Sequence, residues 1–434
     1  MAKPRLLQAA IDAFRLPDLR RRLLVTFGIL VVFRLIAHVP LPGVDSAALA
    51  ALFENNSLLG MMDLFSGGAM QNFSVAAMGV YPYITASIIM TVMTPVIPKL
   101  QAISQEGEAG KSKINNITHW LTIPLAGLAG YGQLVVLQNA GAVAQADVLL
   151  TVSMIITMIA GTMFLVWLGE QITEYGIGNG ISIIIFAGIV AGLPEMVGDS
   201  FLAAQQGQLA GLLTFFVVGL ATTVLIVIFT EAHRRIPVQY AKSVFKSGRM
   251  YRQSGSSHIP LRVNTAGMIP LIFAMALVMF PGIIGSYFQD VEAQNFWYWV
   301  VQIFSADTAL PLGIIYWAFY FVLVFAFAFF YTMVIFQQQD LPGVLQRQGG
   351  FVPGIRPGKQ TATYLTGVIE RITWGGALFL AVVAIMPFIV SMVSGVSNMV
   401  LSSFGLLIVV GVVLDTMKQM EAQLSMRRYE GFIK

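Results

Sequence analysis

Residues 58–73 read LLGMMDLFSGGAMQNF, and an apolar run from Phe73 to Ile97 follows them. The first dozen residues are apolar, but a helix of that length, at about 1.5 Å per residue, reaches only roughly 18 Å. It cannot cross an apolar layer of about 30 Å. Ser66-Gly67-Gly68 breaks the stretch and Gln71-Asn72 add polarity before the chain turns apolar again. The second hydrophobic segment is therefore expected to be broken: a half-helix that enters, turns and continues as a full span. Backbone that is not helical carries unpaired N–H and C=O groups, which find no partner in lipid. Such a segment must be enclosed by other helices or line a wet cavity. Residues 58–98 become the expected seat of a pore or a binding site.

Composition sets the class. The chain of 434 residues is 57% hydrophobic and 11% charged, with a mean hydropathy of +0.77, where soluble domains carry about 25% charged residues. That is the profile of an all-α polytopic membrane protein. Zero cysteines exclude disulfides, thiolate catalysis and Cys-based metal sites. The first apolar run, between Arg20-Arg21-Arg22 and Pro40-Leu-Pro42, lacks a small-residue cleavage site and reads as a span.

Ten spans are expected, at about 23–39, 73–97, 117–138, 148–168, 178–196, 211–230, 266–286, 312–336, 372–393 and 396–414. With the N-terminus in the cytosol and the sides alternating, the cytosolic segments hold every one of the 25 basic residues except Arg34. The far side holds Asp45, Glu54, Asp63, Asp147, Glu195, Asp199, Asp290, Glu292 and Asp307 and no base. Adding or dropping one span would scramble this positive-inside pattern. Both termini are expected in the cytosol, and the net charge of +4 reflects topology more than a nucleic-acid partner.

Ten spans divide into two halves of five, residues 1–200 and 201–434, and an odd number per half turns the second upside down. Weak internal similarity agrees. Span 2 carries Gly79-Val-Tyr-Pro82-Tyr-Ile84 and span 7 carries Gly267-Met-Ile-Pro270-Leu-Ile272; span 5 has Gly180-Ile-Ser-Ile-Ile-Ile185 against Gly405-Leu-Leu-Ile-Val-Val410 in span 10. Counted along their spans, Ile84 and Ile272 fall roughly 9–17 Å deep, near mid-membrane. Inverted halves place their sites there.

Coupled transporters usually need titratable groups at that depth. No Asp or Glu lies deep inside a span; Glu170, Glu195 and Asp415 sit at ends, as does His119, and Arg34 and His38 are the ionisable groups read into the apolar layer. Arg34 either snorkels outward or takes a structural role between helices. The mid-depth residues are aliphatic: Val80, Ile84, Ile181, Ile185, Ile269, Ile272 and Ile408. Most aliphatic residues at this depth face lipid or pack between helices. The sharper reading is a hydrophobic constriction, which blocks ions by dewetting and grips a passing chain without regard to its sequence.

Gly110-Lys111-Ser112 is not a phosphate loop, because its first glycine would fall at Gln105 and no strand precedes it. No H-E-x-x-H or G-x-S-x-G occurs, so no catalytic residue, metal or cofactor is expected. Two cytosolic loops are too long for connectors. In the first, about 231–263, Arg235–Tyr240 and His258–Val263 alternate like strands flanking Ser254-Gly-Ser-Ser257, an expected hairpin. In the second, about 337–371, Gly350-Phe-Val-Pro-Gly-Ile-Arg356-Pro-Gly358 is expected to form a rigid turn with Arg356 at its tip. A basic cytosolic loop often serves topology alone. An arginine offered from a Pro-stiffened turn favours docking of an acidic or nucleic-acid partner such as ribosomal RNA.

Phe65-Ser-Gly-Gly68, Gly79-x-x-Pro-Tyr-Ile84, Glu106-Gly-Glu108, Trp167–Thr173 with Gly176–Ser182, Arg234-Arg235, Gly350–Gly358 and Leu406–Val409 together resemble the SecY family, from Arg20 to Phe432. The resemblance implies a protein-conducting channel of the bacterial plasma (inner) membrane. Such a channel is a passive pore that moves unfolded secretory polypeptides across and releases transmembrane segments sideways into the lipid bilayer. It implies two inverted halves hinged after span 5 and a lateral gate between spans 2 and 7. It also implies a plug at about 58–72, with Met61, Met62, Asp63, Leu64, Phe65, Ser66, Gly67, Gly68 and Ala69 at its centre. Ile84, Ile185, Ile272 and Ile408 match the family's pore ring, with Val80 and Ile181 one turn away. Arg234, Arg235, Lys242, Lys246, Arg249, Arg252, Arg356 and Lys359 match loops that dock the ribosome or the SecA motor. SecE and SecG are the implied partner subunits, and signal sequences and nascent polypeptides the implied cargo. Lys111-Ser112-Lys113, Gln337–Pro342 and Gln346-Arg-Gln348 are less basic than the family pattern. The alternative class is an inverted-repeat secondary transporter of a small solute, which requires a mid-membrane carboxylate that is missing.

Overall fold

A computed structural model describes residues 16–55, 63, 66–139, 141–143, 147–205, 209–246, 249–267, 269–288, 295–305, 312–394 and 400–430. Its helices are α1 (Pro17–Ile36), α2 (Ser46–Asn55), α3 (Tyr81–Val96), α4 (Pro98–Ser104), α5 (Glu108–Asn139), α6 (Val148–Tyr175), α7 (Gly180–Gln205) and α8 (Leu209–Glu231). Strands β1 (His233–Lys246) and β2 (Arg249–Arg262) follow, then α9 (Ile269–Phe288), α10 (Phe296–Ile303), α11 (Leu312–Gln339) and α12 (Leu341–Arg347). β3 (Gly350–Phe351), α13 (Lys359–Ser394) and α14 (Val400–Glu430) complete the chain.

Each stretch expected to span contains a helix. Among the described residues four helical stretches are by themselves long and apolar enough to cross a membrane: Glu108–Gln138, Val148–Tyr175, Gly313–Arg347 and Lys359–Met386. The pair α3 and α4, bent by 101° at the break before Pro98, makes a fifth if taken as one span. Gly180–Gly192, Phe216–Glu231 and Ile269–Gly285 are shorter apolar helices. Large apolar side chains lie bare on the outside, Leu149 at 83% and Trp120 at 73% exposure among them. Water would not tolerate that surface; lipid does. Several hydroxyls of these helices donate back to their own backbone: Thr94 to the Met90 carbonyl at 2.6 Å, Thr122 to Thr118 at 2.8 Å and Thr332 to Ala328 at 2.7 Å.

Two compact units divide the chain. The first holds residues 1–219, 275–317 and 387–434; the second holds 220–274 and 318–386. In the first unit one apolar cluster gathers Leu41 and Leu49, Phe73, Ala77 and Met78, Ala126, Leu134 and Leu137, and Met154 and Met158. Glycine lets the elements of this unit close up. A Cβ on Gly161 of α6 would lie 2.0 Å from the Val75 carbonyl oxygen, and one on Gly180 would lie 1.7 Å from the Gly169 oxygen. The Gly176–Gly180 stretch is thus the tight corner between α6 and α7, fastened by Gly180 N–H donating to Thr173 Oγ1 at 2.9 Å and Ser182 N–H to Asn179 Oδ1 at 3.2 Å. Arg22 donates to the Gly176 carbonyl at 3.4 Å from α1.

The second unit carries a three-stranded sheet of order β2-β1-β3. The expected hairpin forms, but its turn does not sit at Ser254–Ser257. Those residues lie within β2, where Ser257 pairs with Val238 and Gly255 with Tyr240, and the strands run out to Lys246 opposite Arg249. The ladder continues from Ala241 opposite Ser254 through Lys242 opposite Gln253 to that last pair. Ile236, Val238 and Leu261 from the hairpin, with Phe336, Leu345, Val352, Leu365, Val368 and Ile369, form a second core.

Filling the α6 approach should separate the elements it joins. Gly161→Ala is expected to destabilise the protein by about 1–3 kcal/mol, the usual effect of overpacking. Gly28→Ala, where an added methyl meets nothing within 4 Å, is expected to leave stability unchanged. Denaturation midpoints of the two purified variants in detergent check both.

Candidate functional site

The broken segment sits where its backbone demands. α3 begins at Tyr81 and not at Phe73, and residues 67–80 are a succession of turns. Phe73 has φ 39° and Gly79 φ 55°, both incompatible with a continuing helix. Pro82 then occupies the first turn of α3, where its missing N–H costs nothing. The related motif of span 7 repeats the device. Gly267 has φ 65° and stands two residues ahead of α9, whose second residue is Pro270. The likeness of spans 5 and 10 does not extend as far, since Gly180 opens α7 while Gly405 lies inside α14.

Of the residues matched to the plug, Met61, Met62, Leu64 and Phe65 lie outside the described residues. Asp63, Ser66, Gly67 and Ala69 are buried, and Gly68 is half-buried. A helical turn closes with Gly67 N–H donating to the Asp63 carbonyl at 2.8 Å. The Asp63 carboxylate organises the residues after that turn: Oδ1 accepts from Ser66 Oγ at 2.9 Å, Met70 N–H at 3.0 Å and Gln71 N–H at 3.2 Å. Leu41 N–H reaches the Phe73 carbonyl, and Val75 N–H the Val39 carbonyl, each at 3.0 Å. Much of the irregular backbone is therefore paired within the protein, as an apolar setting requires.

Helices enclose it. A Cβ on Gly67 would lie 2.7 Å from Gly188 Cα on α7 and 2.8 Å from Phe33 Cζ on α1. A Cβ on Gly130 of α5 would lie 3.1 Å from Met78 Sδ. Arg34 of α1 donates from Nη1 to the Gly67 carbonyl at 2.6 Å. Between snorkelling and a structural role for Arg34, the structure takes the second.

The aliphatic residues divide by unit. In the first unit Val80, Ile84, Ile185 and Ile408 are buried. Gly188, which Gly67 presses, stands three residues from Ile185, about 4.5 Å along the helix. α7 and α14 run antiparallel: Gly178 faces Thr416 at one end, and Gly405 faces Ile189 at the other. That register sets Ile185 and Ile408 at the same level. Ile84 begins one turn beyond Val80, its N–H donating to the Val80 carbonyl at 3.0 Å. Ile181 is half-buried, and its Cδ1 fills the space beside Gly169, where an added Cβ would come within 2.6 Å. In the second unit Ile269 is 36% exposed and Ile272 half-buried, both in the first turn of α9. Further along α9, in the first unit, the Ala276 carbonyl accepts from Tyr81 Oη of α3 at 3.4 Å.

Tyr83, Asn115 and His119, none of them singled out from the sequence as a site residue, join Glu170 in linking α3, α5 and α6. Tyr83 Oη donates to Asn115 Oδ1 at 3.3 Å and Asn115 Nδ2 to Glu170 Oε1 at 2.8 Å, with His119 Nε2 3.0 Å from the same carboxylate oxygen. Asn115 and His119 lie four apart on one face of α5, which is the signal that would have paired them.

The basic residues of the first long loop lie on the two long strands of one sheet. Arg234 and Arg235 are exposed while Ile236 and Val238 beside them are buried. Lys242 pairs in register with Gln253, Ser243 with Arg252 and Lys246 with Arg249. β3 adds to β1 through Gln239 opposite Phe351 and Tyr240 opposite Gly350. The turn beyond it is held by Ile355 N–H to the Val352 carbonyl at 3.1 Å and Thr361 Oγ1 to the Arg356 carbonyl at 2.9 Å. Gly354 (φ 82°) and Gly358 (φ 100°) bracket exposed Arg356, with exposed Lys359 next along the chain.

The SecY family model matches residues 74–417. The "Protein translocase subunit SecY" of Streptomyces scabiei is 41% identical over 449 aligned positions, which take in 99% of this chain and 100% of that protein. Two solved structures, each 18% identical with a TM-score of 0.64, cover 93% of this chain and 92% of their own. One concerns the plug domain of a SecY protein, which stabilises the closed state of the translocation channel and maintains a membrane seal. The other is Sec61 in the canine ribosome–channel complex of the endoplasmic reticulum. The fold is that of a helical, multi-pass membrane channel. The chain belongs to the SecY family. It is a channel subunit of a protein translocase and not in itself an enzyme, and membership in this family decides against the solute transporter.

The Asp63 turn is testable by itself. Asp63→Ala removes the acceptor of the Gln71 N–H and one of the two acceptors of the Met70 N–H, Ser66 Oγ being the other, a loss of about 1–3 kcal/mol in all. Hydrogen exchange at Met70 and Gln71 is expected to speed up roughly tenfold or more. Asp63→Asn, which keeps an acceptor oxygen, is expected to move it less.

Proposed function

We propose that this chain is the passive, protein-conducting pore of a translocase in the bacterial plasma membrane, with ten spans in two inverted halves and both termini in the cytosol. One observation carries the reading. The irregular backbone of residues 66–80 is enclosed by helices and presses on α7 within a turn of Ile185, which stands level with Ile408. In this reading residues 58–72 are the plug, and Val80, Ile84, Ile181, Ile185, Ile269, Ile272 and Ile408 the constriction. The matching Gly-x-x-Pro openings of α3 and α9 support the internal repeat.

A signal sequence intercalates between α3 and α9, breaking the Tyr81–Ala276 contact, and the plug leaves. The aliphatic ring then closes around an extended chain, excluding water because branched apolar walls dewet a narrow passage. Segments of sufficient apolarity leave sideways, favoured by roughly 0.3–0.6 kcal/mol per Leu, Ile, Phe or Val. Energy comes from a partner: the ribosome, or the SecA motor, docking on the basic sheet and the Arg356 turn. The canine ribosome–channel relative supports the first of these. SecE and SecG complete the assembly.

Replacing Ile84, Ile185, Ile272 and Ile408 together by Asn is expected to wet the constriction and raise resting ion conductance in planar bilayers. Unchanged conductance would count against the ring. Arg356→Glu is expected to weaken motor docking about tenfold or more, the effect of losing roughly 1.4 kcal/mol at one charged contact. Secretion by reconstituted vesicles should slow accordingly while folding and insertion stay normal; wild-type kinetics would refute the docking role.

A further inference from the structure

Arg34 lies in the last turn of α1, in an otherwise apolar run. The carbonyl end of a helix favours a cation, yet the guanidinium of Arg34 reaches across to the Gly67 carbonyl at 2.6 Å. Phe33, its neighbour on α1, stands against the same glycine, as does Gly188 of α7. The Gly67 N–H donates to the Asp63 carbonyl. Positive φ at Gly67 (70°) and Gly68 (81°) turns the backbone through a conformation that other residues adopt only under strain. Gly67 is thus held at its N–H, its Cα and its carbonyl at once. Of these holds, the Arg34 hydrogen bond is the one made by a full charge.

A guanidinium inside an apolar layer is costly to leave without an acceptor. Moving the 66–69 turn away strands it, and that penalty opposes displacement of the turn. We propose that Arg34 is the latch that keeps the 66–69 turn seated, setting how readily the closed channel opens. The latch rests on the reading of residues 58–72 as a plug. Arg34 acts through Gly67 and is a positioning residue. Because the acceptor is a backbone carbonyl, the latch tolerates changes in the plug's side chains and depends on its backbone path.

The test compares Arg34→Leu with Arg34→Lys in the full chain, purified with its accompanying subunits and reconstituted in planar bilayers. A hydrogen bond to a charged group corresponds to a shift of about tenfold to a hundredfold in the open-to-closed ratio. Resting conductance is expected to rise by that factor in Arg34→Leu and to return toward wild type in Arg34→Lys. A second readout uses the absence of cysteine in the chain. Ala69→Cys places a single thiol on a buried residue of the turn, and an impermeant maleimide should label it faster in the Arg34→Leu background. Should Arg34→Leu fail to insert, Arg34→Gln, which loses the charge at similar length, carries the same comparison. Deleting residues 61–69 is the control. Unchanged conductance and labelling in the Arg34 variants beside a leaky deletion would overturn the latch alone. A deletion as tight as wild type would overturn both the latch and the plug.

Discussion

Polar backbone inside an apolar layer must find every partner within the protein, and this requirement organises the first unit. Residues 66–80 leave the helical path, so their N–H and C=O groups cannot satisfy one another in the ordinary ladder. Asp63, Ser66, Arg34 and the Val39–Leu41 backbone supply the partners instead. Close approach of so many groups leaves no room for side chains at the contacts. Gly67 meets Gly188, Gly161 meets the Val75 carbonyl, and Gly130 meets Met78. Small residues on apolar helices are the usual device for bringing backbones together where lipid offers no hydrophobic drive. Here they let helices grip a segment that is not itself a helix.

The break and its enclosure were legible because length and glycine placement decide them before any packing is known. Where α3 begins was not. An apolar run from Phe73 reads as one helix, and only the positive φ of Phe73 and Gly79 ends that reading. The hairpin was legible from alternation, whereas its turn was misplaced: Ser254-Gly-Ser-Ser looks like a turn, and polar residues in a ladder carry no contrary signal. The joining of both basic loops in one sheet was beyond reach, since β3 is two residues long and pairs with a strand more than a hundred positions earlier. Arg34 stood out as a charge in an apolar run, but its partner is a carbonyl, which every residue has. No sequence pattern marks which carbonyl will be near.

In the second unit the sheet changes what the basic residues mean. Charges that only fixed topology would need no rigid support. Ile236 and Val238 are instead buried in a core with Leu261, Val352 and Leu365, so that Arg235 and Pro237 project from the opposite face of a fixed strand. Arg356 stands beyond β3 in a turn bracketed by two glycines of positive φ. Side-chain freedom lost in advance is not lost again on binding. A docking surface gains from this arrangement and a topology signal does not.

A pore for arbitrary polypeptides has to hold its closed state firmly without preferring any particular cargo. Titratable groups at the waist would set a preference, because a carboxylate or lysine attracts some sequences and repels others. Aliphatic side chains do not discriminate in this way; they exclude water around whatever chain fills them. On the proposed reading the closed state needs its strength elsewhere, and backbone contacts are the candidates for it. The Gly67 carbonyl, the Gly188 backbone and the Val75 carbonyl are held by features common to all residues, and the one full charge among these contacts, Arg34, is directed at a carbonyl. In the proposed plug reading, selectivity for the closed state resides in the backbone path of residues 66–80, while an aliphatic passage stays indifferent to sequence.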